Sequence, residues 1–567
     1  MKRVIGIMAC KISVMLAVLF VAGSSLFAQD SKETMVYLMH SDQISMDQDV
    51  NKEAHILQGN VVFRHDSMYM YCDSALYYKE RNQFYAYHNI KAVQGDTLFM
   101  YGDSLYYDGT KKLLRVRSNV RLINNELELV TNRLTYDRNK EIAYFYNHGT
   151  MYDQDNVLDA NYGEYNTVSE LTSFYGKVDL VNPDYELTSD TLLYNTTSKM
   201  AVIVSPAKIT SQANMIDTHH AFFYTEQGRM ILLDQSKLIG ENQTRVMSAD
   251  SIYYDSNAQF ASAFGNVCID DYENGMQLRG EYLYFNDVND SVVVTDNALA
   301  VMDMEMDSLF IHADTFKIIT RFYKDSVYAV DPDAVLDSVL LDSVIFRQFR
   351  GYNKAKGYKT DMQFIADSLV FDSRDSCLTM FKDPIVWNED YQIFGEKIKA
   401  FIHDKKLDWI DVINQAMFVQ QASGNHYNQI AGRKMKAYFS DGSMSKTDVD
   451  GNVEIVFFPV DQATGVEIGM NTTSAPNLSA FFTPERTIRK LLIVGKSKGV
   501  LYPITQIPAG KTKLNNFAWF DNLRPSDKDD VFKWRSKNED QKLKTTTTRK
   551  APLPSLPSAD NKKKKNK

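Results

Sequence analysis

The sequence predicts an all-β protein built from stacked repeats, and three observations support this fold class. The chain of 567 residues contains 33 Tyr and 31 Phe against 26 Gly and 13 Pro, and aromatic residues favour the pleated surface of a sheet. One short phrase recurs about every 30 residues, which is the signature of a repeat protein. Within this phrase, apolar and polar residues alternate with the period of a β-strand.

The recurring phrase starts with a small residue, continues with an acidic or amide residue, and then alternates towards an aromatic residue. Examples are GDSLYYD from Gly102, ADSIYYD from Ala249 and ADSLVFD from Ala366. Aligned on the second residue, the copies fall at positions 73, 103, 132, 161, 190, 219, 250, 281, 314, 367, 396 and 433. Because the acidic or amide residue recurs along the chain, we interpret it as a turn and ladder residue and not as a catalyst.

A second phrase lies between the copies, a Gly or Asn followed by an alternating apolar strand, as in GNVVF from Gly59 and GNVCID from Gly265. Each repeat therefore contains a turn and two strands. Alternation places Leu105 and Tyr107 on one face of their strand. A unit with one apolar face cannot bury that face alone, so we expect stacked units with a shared interior and an elongated sheet.

Charge and length exclude some functions. The formal net charge is -9, although the residues from Gln541 onward contain nine Lys or Arg and one Asp. The acidic remainder repels phosphate at long range, so nucleic acid is not predicted as a partner. The length exceeds what one core usually holds and predicts more than one module.

The first 28 residues have the pattern of a secretory signal peptide. Positive charge in residues 1–3 precedes an apolar run at 14–22, and small residues lead to a cleavage site after Ala28. Cleavage leaves Cys72, Cys268 and Cys377, an odd number at wide spacing, which predicts no disulfide framework. We therefore expect an exported protein that is stabilised by burial and backbone hydrogen bonds.

The spacing of the copies predicts the module boundaries. The steps are 29 to 33 residues from position 73 to position 314 and then widen to 53 before position 367. We place a junction at 331–344, with a first module at 33–330 and a second at 345–525. Beyond Trp534 the chain becomes polar and then rich in Pro and Lys, so residues 535–567 are predicted to be a disordered basic tail.

No enzyme signature is present. The chain lacks GxSxG, GxxxxGK[ST] and CxxC, HxH and HExxH patterns, so no catalytic residue, metal or cofactor is predicted. Small and large residues mix along the apolar face, Ala75 and Ala221 beside Tyr107 and Phe285, which is compatible with either a filled core or an open channel. An acyl chain would bind in such a channel through apolar area, at roughly 0.8 kcal/mol per buried methylene.

The signal peptide and the phrases GDSLYYD, ADSLVFD and GNV together resemble the OstA-like family, the relatives of the lipopolysaccharide-transport protein LptA and of the amino-terminal domain of LptD. The resemblance covers residues 35–460, and NNFAWFDNLRPSDKDDVF at 515–532 is similar to the ending of large Bacteroidota-type members. It implies an open, V-shaped β-jellyroll of stacked antiparallel strands, in two consecutive modules, whose interior holds lipid A acyl chains.

The resemblance also implies partners and a location. A periplasmic bridge, associated with the outer membrane, would join other lipopolysaccharide-transport components at the inner and outer membranes through paired edge strands, and would self-associate end to end. The lipopolysaccharide-binding wall would consist of Leu105, Tyr107, Leu134, Tyr136, Leu192, Tyr194, Ile252 and Tyr254.

Two other functions stay open from the residues alone. A structural or adhesive β-solenoid would have a closed, dry interior. A carbohydrate-active β-helix would use one catalytic carboxylate, for example Asp103 or Asp250, on parallel strands.

Overall fold

The computed structural model describes residues 35–46, 53–211, 214–240, 243–304, 307–323, 344–404, 406–440, 442–461, 463–483, 488–538 and 541. The predicted signal peptide at 1–28 lies outside these residues, as do 331–343 of the predicted junction and 542–567 of the predicted tail. The chain forms two compact units, Met1–Lys199 (unit 1) and Met200–Lys567 (unit 2). This boundary does not coincide with the junction at 331–344, and the modules 33–330 and 345–525 stay a prediction.

The described residues form strands and short 3-10 helices, which confirms the predicted all-β class. The strand pairs are antiparallel in both units, as the resemblance implies and unlike the parallel strands of a carbohydrate-active β-helix. The 3-10 helices are Lys79–Arg81, Ile504–Gln506, Asp521–Leu523 and Asp530–Phe532.

Unit 1 is a meander of long strands in which consecutive strands pair through hairpins. Alternating apolar residues account for its regularity, because every second side chain on either side of a long strand's middle is buried, as in Leu98–Asp108 and Leu113–Asn124. The strands are β1 (Tyr37–His40), β2 (Gln43–Ser45), β3 (His55–His65), β4 (Met68–Tyr78), β5 (Gln83–Gln94), β6 (Leu98–Asp108), β7 (Leu113–Asn124), β8 (Leu127–Asp137), β9 (Ile142–Asp153), β10 (Asn156–Asn166), β11 (Leu171–Asn182) and β12 (Tyr185–Asn195).

Each long strand of unit 1 has a corner near its middle. At the corner of β5, His88 and Asn89 both have positive φ, 59° and 51°, a conformation that Asn tolerates better than most residues. The Asn89 side-chain amide donates to a carboxylate oxygen of Asp73 at 2.7 Å, and Asn119 donates to Asp103 at the same distance. The acidic residue of one phrase therefore fastens the corner of the next strand, in agreement with its interpretation as a turn and ladder residue.

The corners divide the long strands into two arms, and the arms form two walls. Wall A contains the arms that carry the end of each phrase, such as Leu105 and Tyr107 in β6, and the arms paired with them. Wall B contains the arms on the other side of the corners, such as the arm of β3 that includes Phe63. The walls of unit 1 pack against each other, since the ring of Phe63 stacks on that of Phe84 in wall A with 4.0 Å between ring centroids. We call the edge opposite the corners, where the hairpin turns lie, the mouth.

Unit 2 repeats the two-walled plan, and many of its strands are shorter because their corner residues leave the ladder. At one such corner, for example, Asp234 and Gln235 have φ of 56° and 58°. The strands are β13 (Met200–Ile203), β14 (Ala207–Ser211), β15 (Asn214–Thr218), β16 (His220–Tyr224), β17 (Arg229–Leu233), β18 (Lys237–Gly240), β19 (Arg245–Ser248), β20 (Ser251–Asp255), β21 (Phe260–Asp271), β22 (Met276–Asn286), β23 (Ser291–Thr295), β24 (Leu299–Asp303), β25 (Ser308–His312), β26 (Thr315–Tyr323), β27 (Val344–Tyr352), β28 (Ala355–Lys359), β29 (Met362–Ala366), β30 (Ser368–Asp372), β31 (Cys377–Phe381), β32 (Ile385–Asn388), β33 (Tyr391–Phe394), β34 (Lys397–His403), β35 (Lys406–Gln421), β36 (Tyr427–Ser440), β37 (Ser443–Phe457), β38 (Gly469–Phe482), β39 (Ile488–Val494) and β40 (Lys498–Pro503).

The residues after β40 form an extended segment at 504–538, which we call the strap. It packs on wall B of unit 2, where Phe520 and Leu523 join Trp387 in a buried apolar cluster. The strap continues past the predicted start of the basic tail, because the Arg535 guanidinium lies 2.5 Å from the carboxylate of Asp530. Residues 504–525 of the strap belong to the second module predicted from the sequence, and residues 535–538 belong to the predicted disordered tail.

Candidate functional site

The predicted binding residues all lie on the inner face of wall A. Six of them, Leu105, Tyr107, Leu134, Tyr136, Leu192 and Tyr194, belong to unit 1, whereas Ile252 and Tyr254 belong to unit 2. All except Tyr254 have an exposed fraction of 3% or less, and Tyr254 is half-buried. The structure thus divides them into a sealed group in unit 1 and a pair in unit 2, and their contact with lipid stays a prediction.

A row of polar contacts closes the mouth of unit 1, and we call this row the seam. The Tyr107 hydroxyl of wall A lies 2.5 Å from His65 Nδ1 of wall B. Further along the stack, Asn124 Nδ2 of wall B donates to the Tyr165 hydroxyl of wall A at 2.8 Å. The partners are 42 and 41 residues apart, and Tyr107 and Tyr165 are equivalent residues of different repeats, so the seam recurs along the stack with the repeat.

Charged groups reinforce the seam. Asp153, which is 1% exposed, accepts a hydrogen bond from the Tyr194 hydroxyl at 2.8 Å and another from Lys199 Nζ at 2.5 Å. Arg138, which follows the wall A arm of β8, donates to the Tyr107 hydroxyl at 2.8 Å and to Gln94 Oε1 of wall B at 3.2 Å. Hydrogen bonds to charged groups are stronger than those between neutral groups, so these contacts hold the tips of the two walls together.

Tyr107, Tyr136 and Tyr165 stay protonated over the ordinary pH range. Burial raises the pKa of Tyr107 and of Tyr136, and it raises the pKa of Tyr165 to about 12, because a phenolate would lose its hydration inside the protein. Their hydroxyls therefore remain available as hydrogen-bond donors and acceptors.

Most repeats of unit 2 lack the seam hydroxyl. The seam tyrosine stands four residues after the aligned position of its phrase, as Tyr77, Tyr107, Tyr136, Tyr165 and Tyr194 do in unit 1. The equivalent residues in unit 2 are Phe223, Tyr254, Phe285, Ile318, Phe371, Ala400 and Ala437. Side chains without a hydroxyl cannot donate to or accept from the opposite wall, so this means of closing the mouth is absent from those repeats.

The mouth of unit 2 leaves apolar side chains partly accessible over residues 207–320. On wall A, Phe285 pairs with Val292 and Val292 pairs with Ile318, and the next inner residues towards the corner, Leu283 and Val294, are buried. On wall B, Ile216 pairs with Leu238, Leu238 pairs with Met247 and Met247 pairs with Ile269. We call the half-buried inner residues the open rows; they are Tyr254, Phe285, Val292 and Ile318 on wall A and Ile216, Leu238, Met247 and Ile269 on wall B.

Sequence reasoning identified one member of the open rows, Tyr254, and missed the others. The signal that could have found them is the change from Tyr to Phe or Ile at the seam position, seen at Phe285 and Ile318. The change from Tyr to Phe or Ile indicates an open mouth only when the tyrosine hydroxyl is known to reach the opposite wall.

Other kinds of site are not evident among the described residues. In that part of the chain, no group of three or more His, Cys, Asp or Glu side chains is arranged to hold a metal ion. None of the helices described has the length and apolarity of a membrane span.

Comparison with known proteins supports the resemblance. The model of the family described as OstA-like protein matches residues 33–190, which confirms the resemblance to that family over this segment. Among solved structures, the chain is similar to LptH, "the LptA homologous periplasmic component of the conserved lipopolysaccharide transport device from Pseudomonas aeruginosa", at 20% identity over 20% of this chain and 83% of that chain, with a TM-score of 0.18. No curated protein matches the chain.

Proposed function

Because residues 33–190 match the OstA-like family model, we propose that this protein is a periplasmic bridge for lipopolysaccharide transport that binds lipid A acyl chains and passes them towards the outer membrane. The signal peptide at 1–28 directs export and is removed by cleavage after Ala28. The protein is a carrier and not an enzyme, and its edge strands pair with other transport components and with further copies of itself.

The observation that carries this proposal is the pair of open rows in unit 2. Half-buried apolar side chains such as Phe285 and Met247 retain accessible surface, which an acyl chain would cover. Each methylene that leaves water contributes about 0.8 kcal/mol, so a chain of on the order of twelve carbons gains enough to bind without a polar anchor. The sugars and phosphates of the lipid remain in water at the mouth.

Unit 1 supports a different role within the same protein. Its inner side chains, including Tyr107 and Tyr194, are fully buried, and its mouth is held by the seam. A closed, dry interior is what a structural β-solenoid would have, so we assign unit 1 as a rigid spacer while its seam is closed. This assignment replaces lipid contact at the six predicted residues of unit 1 under resting conditions.

Site-specific photocrosslinking tests the proposal. A photoreactive phenylalanine derivative at Tyr254 or at Phe285 is expected to crosslink lipopolysaccharide in cells, because these side chains belong to the open rows. The matched controls are Tyr253 and Tyr284, which are also half-buried but alternate onto the outer face of the same strands. The same probe at Tyr107 is expected to give no product, because the seam excludes lipid there.

Two results would contradict the proposal. Equal crosslinking from the inner and outer positions would mean that lipid contacts the surface without a defined groove. No lipid adduct at either Tyr254 or Phe285, with the protein folded and exported, would remove the lipid-binding function and leave a scaffold.

A further inference from the structure

Wall B of unit 2 carries three buried glutamines at the same position of three consecutive phrase copies. Gln363, Gln392 and Gln429 each lie four residues before the aligned position of their copy, and their exposed fractions are 2%, 0% and 0%. Alternation puts them on the outer face: Gln363 pairs with Trp387 across β29 and β32, while the neighbouring Phe364 belongs to the inner face. A buried amide on an outer face needs a partner there.

The strap supplies that partner through its main chain. Gln392 Nε2 donates to the Ala518 carbonyl at 2.6 Å, and the Phe520 N–H donates to Gln392 Oε1 at 3.0 Å. Gln429 repeats this geometry with the carbonyl of residue 512 at 2.8 Å and the N–H of residue 514 at 2.9 Å. A carbonyl and an N–H two residues apart lie on the same edge of any extended segment, so these contacts recognise backbone and not sequence.

Two further side chains extend the same surface. Lys356, which is 0% exposed, donates from Nζ to the carbonyls of Asp530 at 2.9 Å and Lys533 at 2.8 Å. Gln363 Oε1 accepts from Arg524 Nε at 2.6 Å. From β36 back to β28, each of these four polar groups holds a successive part of the strap.

Apolar contacts add side-chain preference to the backbone contacts. The Phe520 ring meets Phe394 edge-on, with 5.0 Å between centroids, and Leu523 lies in the same cluster. Trp387 in this cluster is 1% exposed, and its Nε1 has no hydrogen-bond partner. The surface therefore has an unused donor that a carbonyl of another bound segment could satisfy.

We propose that this outer face, which we call the glutamine face, is a peptide-binding site that the strap occupies in cis, and that it takes the strap of a second copy in trans. The strap is the segment that the structure shows bound to this face, and every copy of the protein carries a strap. The strands of unit 2 end at Pro503, before the strap begins. The first residues of the strap link β40 to the first glutamine contact, and we call them the linker. In this linker Ala509 and Gly510 are exposed, and Gly510 has φ of +83° with nothing within 4 Å of the position of an added Cβ.

Exchange of the strap between copies therefore requires a change of conformation in the linker and no change in the contacts of the strap. The contacts of the strap are the same whichever copy provides it, and exchange of a terminal segment is a low-cost route to association. The trans arrangement joins two copies through unit 2. It is independent of lipid binding, so either proposal can fail without the other.

The test uses the full chain with a protease recognition sequence inserted between Ala509 and Gly510. After cleavage, the fragment from Gly510 onward is expected to stay bound to the rest of the protein, which we call the body. An excess of fluorescent peptide 511–538 is expected to replace this fragment over hours. Native mass spectrometry counts the bound and replaced fragments. In the uncut protein, two differently tagged copies are expected to form a mixed dimer at high concentration.

Matched variants assign the binding to the glutamines. Gln392→Ala and Gln429→Ala are each expected to weaken retention of the cleaved fragment about tenfold, the change for losing hydrogen bonds worth about 1.4 kcal/mol. Gln277→Ala is the control, since Gln277 occupies the same repeat position and bonds Asp270 instead of the strap. Circular dichroism of each cleaved variant checks that the strands are intact.

The proposal is overturned if the fragment leaves the folded body at once, which would mean that the face has no affinity of its own. It is also overturned if labelled peptide enters only when the strands unfold. Equal loss of retention in Gln277→Ala would show that the glutamines act through general stability and would contradict the assigned contacts.

Discussion

The two units apply one repeat in two ways. In unit 1 the aromatic residue at the end of each phrase is a tyrosine whose hydroxyl reaches a polar partner, as Tyr107 reaches His65. In unit 2 the same position is often Phe, Ile or Ala; Phe285 and Ile318 are half-buried at the mouth, whereas Phe223, Ala400 and Ala437 are buried. The seam hydroxyl is therefore absent from most repeats of unit 2, while the open rows also include Tyr254, which retains it.

The units also differ in where they are held. Unit 1 is tied at the mouth by the seam, while the outer face of wall B in unit 1 exposes Tyr69 and Tyr71. In unit 2 the strap covers the outer face of wall B, where Trp387 and Phe394 are buried. The strap contacts β28 to β36, whose inner residues such as Phe364 and Phe418 are buried, whereas the open rows lie on earlier strands of unit 2. The following predictions test these two ways of holding the walls, the seam and the strap.

The largest effect is expected from the charged end of the seam. Asp153→Ala removes the acceptor of both Tyr194 and Lys199, and breaking a buried ion pair by removing one partner costs about 3 kcal/mol or more. We therefore expect a loss of about 3 kcal/mol in the unfolding free energy of unit 1. Hydrogen exchange of the unit 1 strands measures this loss, and strands of unit 2 serve as the internal reference.

Asp155→Ala is the control for that change, because Asp155 is an exposed residue in the adjacent hairpin turn. It is expected to alter stability by less than about 0.5 kcal/mol. Equal losses from the two variants would mean that the seam does not hold unit 1 closed.

A smaller, pH-dependent effect is expected where the strap is anchored. Burial lowers the pKa of Lys356 to about 8, although the nearby Asp530 opposes this change. Between about pH 8 and 10.5 the unfolded chain binds a proton that the folded chain has released, so the unfolding free energy contributed by this group rises with pH. The rise is at most about 1.4 kcal/mol per pH unit.

Lys356→Met isolates this contribution, since Met has a similar volume and no titrating group. The stability of the parent protein relative to the variant is expected to increase from pH 8 to pH 10 in chemical denaturation of unit 2. At pH 7 the variant is expected to be less stable than the parent, because the carbonyls of Asp530 and Lys533 lose their donor. Parallel stability curves across this window would contradict the assignment.

The repeat and its two faces could be read from the sequence because both depend on local patterns. Alternation fixed Leu105 and Tyr107 to one face, and their burial at 3% and 0% agrees with it. The side-chain hydrogen bond between Asn119 and Asp103 joins residues that are only 16 positions apart, so both residues fall within neighbouring phrases. Local periodicity thus accounts for strands, corners and walls.

The state of the mouth could not be read in the same way. The seam joins residues 41 or 42 apart, and this offset depends on how far each strand is displaced along the stack. The strap is more distant still, because Gln392 and Ala518 are 126 residues apart. Alternation assigns a face to Gln392 but gives no sign that another segment covers that face.

The smallest effect is expected from removing one seam hydroxyl. Tyr107→Phe keeps the buried ring and deletes the oxygen that His65 and Arg138 contact, which leaves two polar groups without this partner and costs about 1–2 kcal/mol. Tyr106→Phe is the matched control on the outer face of the same strand. Because the change imitates the residue found at position 285, it also asks whether hydroxyl loss alone opens the mouth.

Reactivity of a buried thiol reports the opening directly. Leu114→Cys places a thiol in wall A beside Tyr107, where the parent side chain is 0% exposed. Combined with Tyr107→Phe, this cysteine is expected to react with a maleimide faster than it does beside the parent tyrosine, by about the tenfold that 1.4 kcal/mol corresponds to. If Tyr106→Phe accelerates the reaction equally, the hydroxyl is not what separates the closed unit from the open one, and the difference must be sought in the apolar side chains themselves.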